Sequence, residues 1–368
     1  MRGLYIHIPF CKSRCTYCGF YSTTMLEWRQ RYVEALGREM EIRAGEAAPL
    51  STIYLGGGTP SQLSGEQLLK LFAYINKVYD TSELQEVTIE CNPDDVTTDF
   101  CQVLAMLPVN RVSMGVQTFS DERLRFLHRR HSAQQVSEAF RQLRAMGIGN
   151  ISLDLMFGFP GETLAEWHDD IAQVLKLTPE HISAYALMYE EGTPLYEQWR
   201  KGKFEQVSDE SSRLMYEHLI DSLEDAGYEH YEISNFARGR RSLHNSSYWN
   251  QTPYIGLGAA AHSFDGLTRS WNVSNLRQYV EAIEAGRRPF ESETIDADTR
   301  YNDLVTTALR TKEGISLSSL TEEHRNYLMQ NAERALTAGL LELSGDHIRL
   351  SRQGLFVSDD VMSDLIFV

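Results

Sequence analysis

Three thiols fall within eight positions of this chain: Cys11, Cys15 and Cys18, in the stretch CKSRCTYCGFYS at 11–22. A four-iron cluster that only carries electrons takes four cysteine ligands. Three leave one iron open, and metal sites keep an incomplete coordination shell where something else must bind the metal. Gaps of three and two residues between the thiols let one loop wrap a corner of a cubane. A structural zinc with His7 as fourth ligand is a competing reading. Zinc sites usually pair two separated ligand clusters, and a second cluster is missing here. Unrelated buried thiols are a third reading, opposed by the density of the group. The position two after Cys18 is Phe20, not a further thiol.

Other residues could serve a ligand beside such a centre. Gly56-Gly57-Gly58-Thr59-Pro60 closes an apolar run with no side chain to obstruct the backbone, so N–H and C=O groups there can approach a ligand closely. A plain tight turn reads the same way. Glu90 and Gln117 end two further β-rich runs. Asp154 interrupts the apolar run ISLDLMF, where a carboxylate is costly to bury unless it is paired or ligand-bound. Tyr5 and Tyr17 flank the cysteine loop, and core packing explains them equally well.

The elements that must position these groups follow from periodicity. Strand-like segments at 4–8, 52–58, 86–91, 111–117, 150–158 and 181–188 alternate with helical patterns at about 27–43, 65–79, 99–107, up to about 146, and 164–177. Such repeats predict parallel strands joined by right-handed crossovers, in a doubly wound sheet or a full or partial barrel. In either form the functional face lies at the C-terminal ends of the strands, where the candidates gather. After residue 188 the pattern loosens: 195–228 reads as mostly helical, and 230–264 is polar, aromatic and glycine-rich. From about 285, helices followed by two short strands around Ser344-Gly345-Asp346 predict a winged-helix-like module. The division expected is 1–190, 191–284 and 285–368.

Length and composition bound the rest. The 368 residues are 42% apolar and 23% charged, ordinary for a globular protein with a large core. No apolar run is long enough to span a membrane, and the N-terminus reads as a first strand, not a secretory signal. An odd cysteine count without such a signal fits a reducing, cytoplasmic setting. A net charge of −16 repels phosphate backbones, so nucleic acid is not an expected partner and a protein-contact role suits the C-terminal module better than DNA binding. The basic runs at 129–131 and 238–241 read as solvated faces.

The C-x3-C-x2-C run after a first strand resembles the radical S-adenosylmethionine superfamily. YIHIPFC, GGGTPS, IECNP, GVQTF, DLMFGFPGET and HNSSYW together resemble one branch of it, over essentially the whole chain. That branch holds oxygen-independent coproporphyrinogen dehydrogenase and a related group of heme chaperones. The resemblance implies a partial (βα)6 barrel carrying a mainly helical, winged-helix-like C-terminal module. It implies a [4Fe-4S] cluster on Cys11, Cys15 and Cys18, whose open iron is chelated by S-adenosylmethionine. It assigns Gly57, Gly58 and Thr59 to the methionine end of that molecule and Glu90, Gln117, Arg129 and Asp154 to its other polar groups. Tyr5 and Tyr17 would pack against the cofactor. Two features separate the sub-groups. The dehydrogenase pattern adds a fourth cysteine where this chain has Phe20, and HNSSYW at 244–249 matches the H-N-x-x-Y-W signature of the chaperones. Imidazole nitrogen suits heme iron, so the resemblance points to His244 as axial ligand within a motif that also holds Asn245, with Tyr248 and Trp249 stacking on the porphyrin. Without the resemblance, a helix start with a packed Tyr–Trp pair explains the segment. The implied partners are heme and a recipient hemoprotein, the membrane being one place to meet it. A porphyrinogen-decarboxylating dehydrogenase and a different radical enzyme are the alternatives.

Overall fold

The computed structural model describes residues 2–46 and 49–368. The repeats supply six strands: β1 Arg2–Ile8, β2 Leu50–Gly57, β3 Glu86–Cys91, β4 Arg111–Gln117, β5 Ile151–Phe157 and β6 His181–Ala186. They pair in parallel and stand side by side in chain order. A doubly wound sheet reverses its order at a switch point. This one does not, so right-handed crossovers carry the connecting helices to one face. Those helices are α1 Arg29–Ile42, α2 Gly65–Val78, α3 Thr98–Ala105, α4 Asp121–Phe126, α5 Ala133–Ala145 and α6 Leu164–Leu177. Ser64, Ser132 and Thr163 close capping boxes that start α2, α5 and α6.

The barrel is partial because the sheet runs on at both ends. After α7 Pro194–Arg200 and α8 Asp209–Asp225, β7 Glu229–Glu232 and β8 Asn235–Ala237 add antiparallel beyond β6. After α9 Leu243–Trp249, β9 Tyr254–Leu257 pairs in parallel with β1. The antiparallel strands β10 His262–Phe264, β11 Thr268–Asn272 and β12 Phe290–Thr294 follow, with α10 Leu276–Glu284 between the last two. The result is a twelve-stranded sheet edged by β7 and β12. Most of these added strands come from 230–264, where the sequence pattern loosens, because three or four residues are too few to show a period.

Each strand of the central six has one apolar and one polar face. Leu4, Ile6 and Ile8, with Ile53, Leu55, Val87, Ile89, Val112 and Met114, join the helices in the main core. The alternate positions carry Tyr5, His7, Thr52, Tyr54, Thr88, Glu90, Ser113, Asp154, His181 and Ser183 on the opposite face. The C-terminal unit has its own core around Tyr301, Val305, Leu328, Ile348 and Leu365. It comprises α11 Ala297–Ala308, β13 Ile315–Ser316, α12 Glu322–Thr337, β14 Leu341–Ser344, β15 His347–Leu350 and α13 Ser358–Asp364. The hairpin β14–β15 is the wing of the winged-helix arrangement, and β12, past residue 285, still belongs to the large sheet. The unit docks on β7, with Lys312 N donating to Tyr231 O at 3.0 Å and Ile233 N to Arg310 O at 2.9 Å. No helix among the described residues is long and apolar enough to cross a membrane.

Candidate functional site

The cysteine loop leaves β1 at its C-terminal end and is pinned in several places. Thr23 N donates to Pro9 O at 2.7 Å and Cys11 N to Thr23 O at 2.9 Å, which closes the loop at its base. In its middle, Thr16 N donates to Leu127 O at 3.1 Å and Leu195 N donates to Thr16 O at 2.9 Å. Cys11, Cys15 and Cys18 stay partly exposed. The Thr59 hydroxyl lies 3.4 Å from Cys11 Sγ, and Arg129 Nη1 lies 3.6 Å from Cys15 Sγ. Burial pushes the Cys11 and Cys18 thiols up, so neighbouring donors such as these matter to the anionic sulfur that binds metal.

This donor set fits a four-iron cluster. In a cubane each thiolate holds its own iron, whereas tetrahedral zinc gathers its ligands on one point. Among the described residues, no three His, Cys, Asp or Glu side chains converge on a single ion. His7 does not turn toward the thiols. Its Nδ1 pairs with the Tyr5 hydroxyl at 3.0 Å and its Nε2 with Tyr21 O at 2.9 Å. Cys91 and Cys101 lie buried in the main core.

The glycine run packs tightly against β1. Gly57 has φ +110°, and a Cβ there would lie 2.5 Å from the His7 ring; one on Gly58 would lie 2.7 Å from the Pro9 carbonyl carbon. A bulky residue at either position therefore displaces β1 before it fills any ligand space. Glu90 takes a 2.7 Å bond from the Tyr54 hydroxyl and a 3.1 Å bond from Gly57 N. Asp154 accepts from Ser113 Oγ at 3.2 Å. Arg111, buried from the same face, has no hydrogen-bond partner among the described residues, and its charge acts on both carboxylates.

Burial drives the Glu90 carboxyl up to about 7; the Tyr54 hydroxyl opposes this and the Asp154 charge adds to it. Burial likewise lifts Asp154 to about 6, against the pull of Arg111. A carboxylate raised by folding binds more protons folded than unfolded. Its stabilising contribution is full below the unfolded value of about 4 and is lost as pH rises through the folded one. Glu90 thus makes stability fall between about pH 4 and about 7. Glu90→Gln is expected to flatten that part of the profile, as read from urea midpoints across the window. An unchanged slope contradicts the assignment.

Gln117 ends β4 in a left-handed conformation, φ +68°, beside a register shift between Gly115 and Gln117. Strain of this kind in a non-glycine residue collects at functional sites. Of the two adjacent arginines, only Arg129 reaches the cysteine loop. It also donates to Gly115 O at 2.6 Å and Asn92 Oδ1 at 2.7 Å, while Arg130 pairs with Asp94 at 2.9 Å and Asp95 at 3.1 Å. Tyr17 packs against the small cluster of Leu127, Met156, Phe159, Leu187 and Leu195.

HNSSYW forms α9. Ser242 caps it through Asn245 N at 3.3 Å, and Glu86 of β3 accepts from Leu243 N at 2.9 Å and His244 N at 3.0 Å. The His244 ring is fully buried and stacks on Tyr54 at 5.1 Å. Its Nδ1 pairs with Thr52 Oγ1 at 2.8 Å and its Nε2 with the Tyr248 hydroxyl at 2.9 Å. Iron could reach either nitrogen only by breaking one of these bonds. Trp249 lies under the Arg310 guanidinium at 5.2 Å. Sequence reasoning passed over Thr52, Tyr54, Arg111, Ser113, His181 and Asn92. The signal for all but Asn92 was the polar residue at every second position of otherwise apolar strands.

A partial parallel barrel with a three-thiol loop at the C-terminal end of its first strand defines the radical S-adenosylmethionine class. Residues 5–174 match the model of the Radical SAM superfamily and residues 295–357 that of the HemN C-terminal domain. The chain is 36% identical to the heme chaperone HemW of Bacillus subtilis, over 98% of both chains. It is 34% identical to the heme chaperone HemW of Lactococcus lactis, over 96% of this chain and 93% of that one. This chain belongs to the HemW family. The coproporphyrinogen III oxidase HemN from Escherichia coli, a radical SAM enzyme, shares its fold at a TM-score of 0.85 and 22% identity, covering 99% of this chain and 89% of that one.

Proposed function

We propose that this chain is a cytoplasmic heme chaperone. It holds a [4Fe-4S] cluster through Cys11, Cys15 and Cys18, binds S-adenosylmethionine across the ends of β2–β5, and hands heme to a hemoprotein, one at the membrane included. The observation that carries the reading is the meeting of Thr59 and Arg129 with the Cys11 and Cys15 thiols. Residues that resemblance assigns to S-adenosylmethionine and residues it assigns to the cluster occupy one end of one sheet. When bound together, the cluster and S-adenosylmethionine supply reductive cleavage to a 5′-deoxyadenosyl radical in this superfamily. This chain's part would be to position: Glu90 and Asp154 would accept from the ammonium or ribose, and the Gly57–Thr59 backbone would border the methionine end. Residues 1–190 would carry these two ligands, 191–284 the heme-facing wall, and 285–368 a protein-contact surface. The names of the HemW relatives support the heme role. Phe20, standing where the dehydrogenase pattern has cysteine, speaks against porphyrinogen decarboxylation.

Anaerobically reconstituted protein tests this. Asp154→Ala is expected to weaken S-adenosylmethionine binding by about tenfold or more in calorimetry, the loss of one charge-assisted hydrogen bond, at unchanged iron content. The wild-type protein is expected to bind hemin and to release no decarboxylated product from coproporphyrinogen III. Product at catalytic rates would favour the dehydrogenase reading instead.

A further inference from the structure

We infer that heme sits in the cavity between the cysteine loop and the β9–β11 strands, with His262 as the iron ligand and Phe20 as the apolar wall. This rests on the heme-chaperone reading and places its cargo. The cavity measures about 750 Å³ and is lined by Tyr5, Arg14, Phe20, Tyr248, Tyr254 and His262, among others. That volume is in the range of sites that enclose a large planar ligand.

Three histidines stand near this wall. His7 and His244 have both ring nitrogens engaged, as described above. His262 opens β10, its side chain is exposed, and neither ring nitrogen has a hydrogen-bond partner among the described residues. The His262 ring lies over its cross-strand neighbour Trp271 at 5.9 Å and 27°, which fixes its plane while leaving its nitrogens open. A neutral imidazole held this way is the ordinary proximal ligand of heme iron.

Phe20 supplies the second argument. Phe20 lines the cavity and is 72% exposed, so its face is open to an apolar ligand there. A porphyrin in the cavity would cover it. Tyr248 and Tyr254 meet edge to face at 4.8 Å and close the opposite wall. Arg14, exposed on the cysteine loop at the cavity rim, offers a fork for a propionate. On this view the His244–Tyr248 bond sets the porphyrin-facing tyrosine, and His244 acts through it.

Hemin titration of the reconstituted full chain decides the matter, with absorption and electron paramagnetic resonance spectra of the bound iron. His262→Ala is expected to lose the imidazole-ligated spectrum, to regain it on adding free imidazole, and to bind hemin about tenfold more weakly. Phe20→Asp is expected to weaken hemin and metal-free protoporphyrin alike by about tenfold, since it acts on the ring and not the iron. A His262→Ala protein with the wild-type spectrum overturns the assignment. So does a His244→Ala protein whose lost spectrum is restored by imidazole. Wild-type protein that binds no hemin removes the chaperone reading itself, and this site with it.

Discussion

Replacing Cys11, Cys15 or Cys18 by alanine is expected to abolish the cluster, each substitution alone. The three thiols lie on one pinned loop, and a four-iron cluster that has already given up one cysteine has none to spare. Cys91→Ala and Cys101→Ala are the controls. Both thiols are buried in the apolar core at 4% and 5% exposure, so their loss costs packing, about 1 kcal/mol each, and no iron. Iron and sulfide content after anaerobic reconstitution, with the cluster's absorption band, measures all five variants. Iron loss in Cys91→Ala equal to that in Cys15→Ala would falsify the ligand set.

Glu39→Ala is expected to be the most destabilising single change outside the cysteine loop. Glu39, on α1, is fully buried. It accepts from Gly258 N at 2.9 Å, Asn272 Nδ2 at 2.7 Å and the Tyr279 hydroxyl at 2.6 Å, and it pairs with Arg43 at 3.4 Å and Arg288 at 3.7 Å. Alanine leaves those donors without their acceptor and two largely buried arginines short of a counter-charge. The cost of stranding buried charge this way is about 3–5 kcal/mol. Denaturant unfolding at constant m-value reads it, and a loss below about 1 kcal/mol, the worth of an exposed pair, would contradict the burial argument. The partners of Glu39 follow β9, end β11 and sit on α10. The same variant should therefore loosen the strands that present Tyr254 and His262, and weaken hemin binding before it disturbs the cluster.

What the sequence determined by itself was local. Three cysteines in eight positions are a local signal for a metal loop, readable before anything around them is known. Strands β3 and β4 could be read at 86–91 and 111–117 because an apolar period persists for six or seven residues and turn residues bound it. Parallel pairing of strands in chain order then put Glu90 and Gln117 at the C-terminal ends of adjacent strands, with Asp154 midway along the next. The short edge strands escaped because a period cannot show in three or four residues.

The tertiary structure decided everything that depends on distant partners. Arg129, not Arg130, faces the cysteines because Asp94 and Asp95 claim the other guanidinium. Cys15 and Arg129 are 114 residues apart, and Thr52 and His244 are 192 apart. No local pattern encodes such pairs. HNSSYW offered His244 as an iron ligand, and the structure shows its Nδ1 taken by Thr52 of β2 and its Nε2 by Tyr248 one turn along α9. Gly57 takes its positive φ beside the His7 ring of β1, and the left-handed Gln117 lies where β4 shifts register against β5. The motif names the chemistry available, and burial with hydrogen bonding decides which of its atoms stay free to perform it.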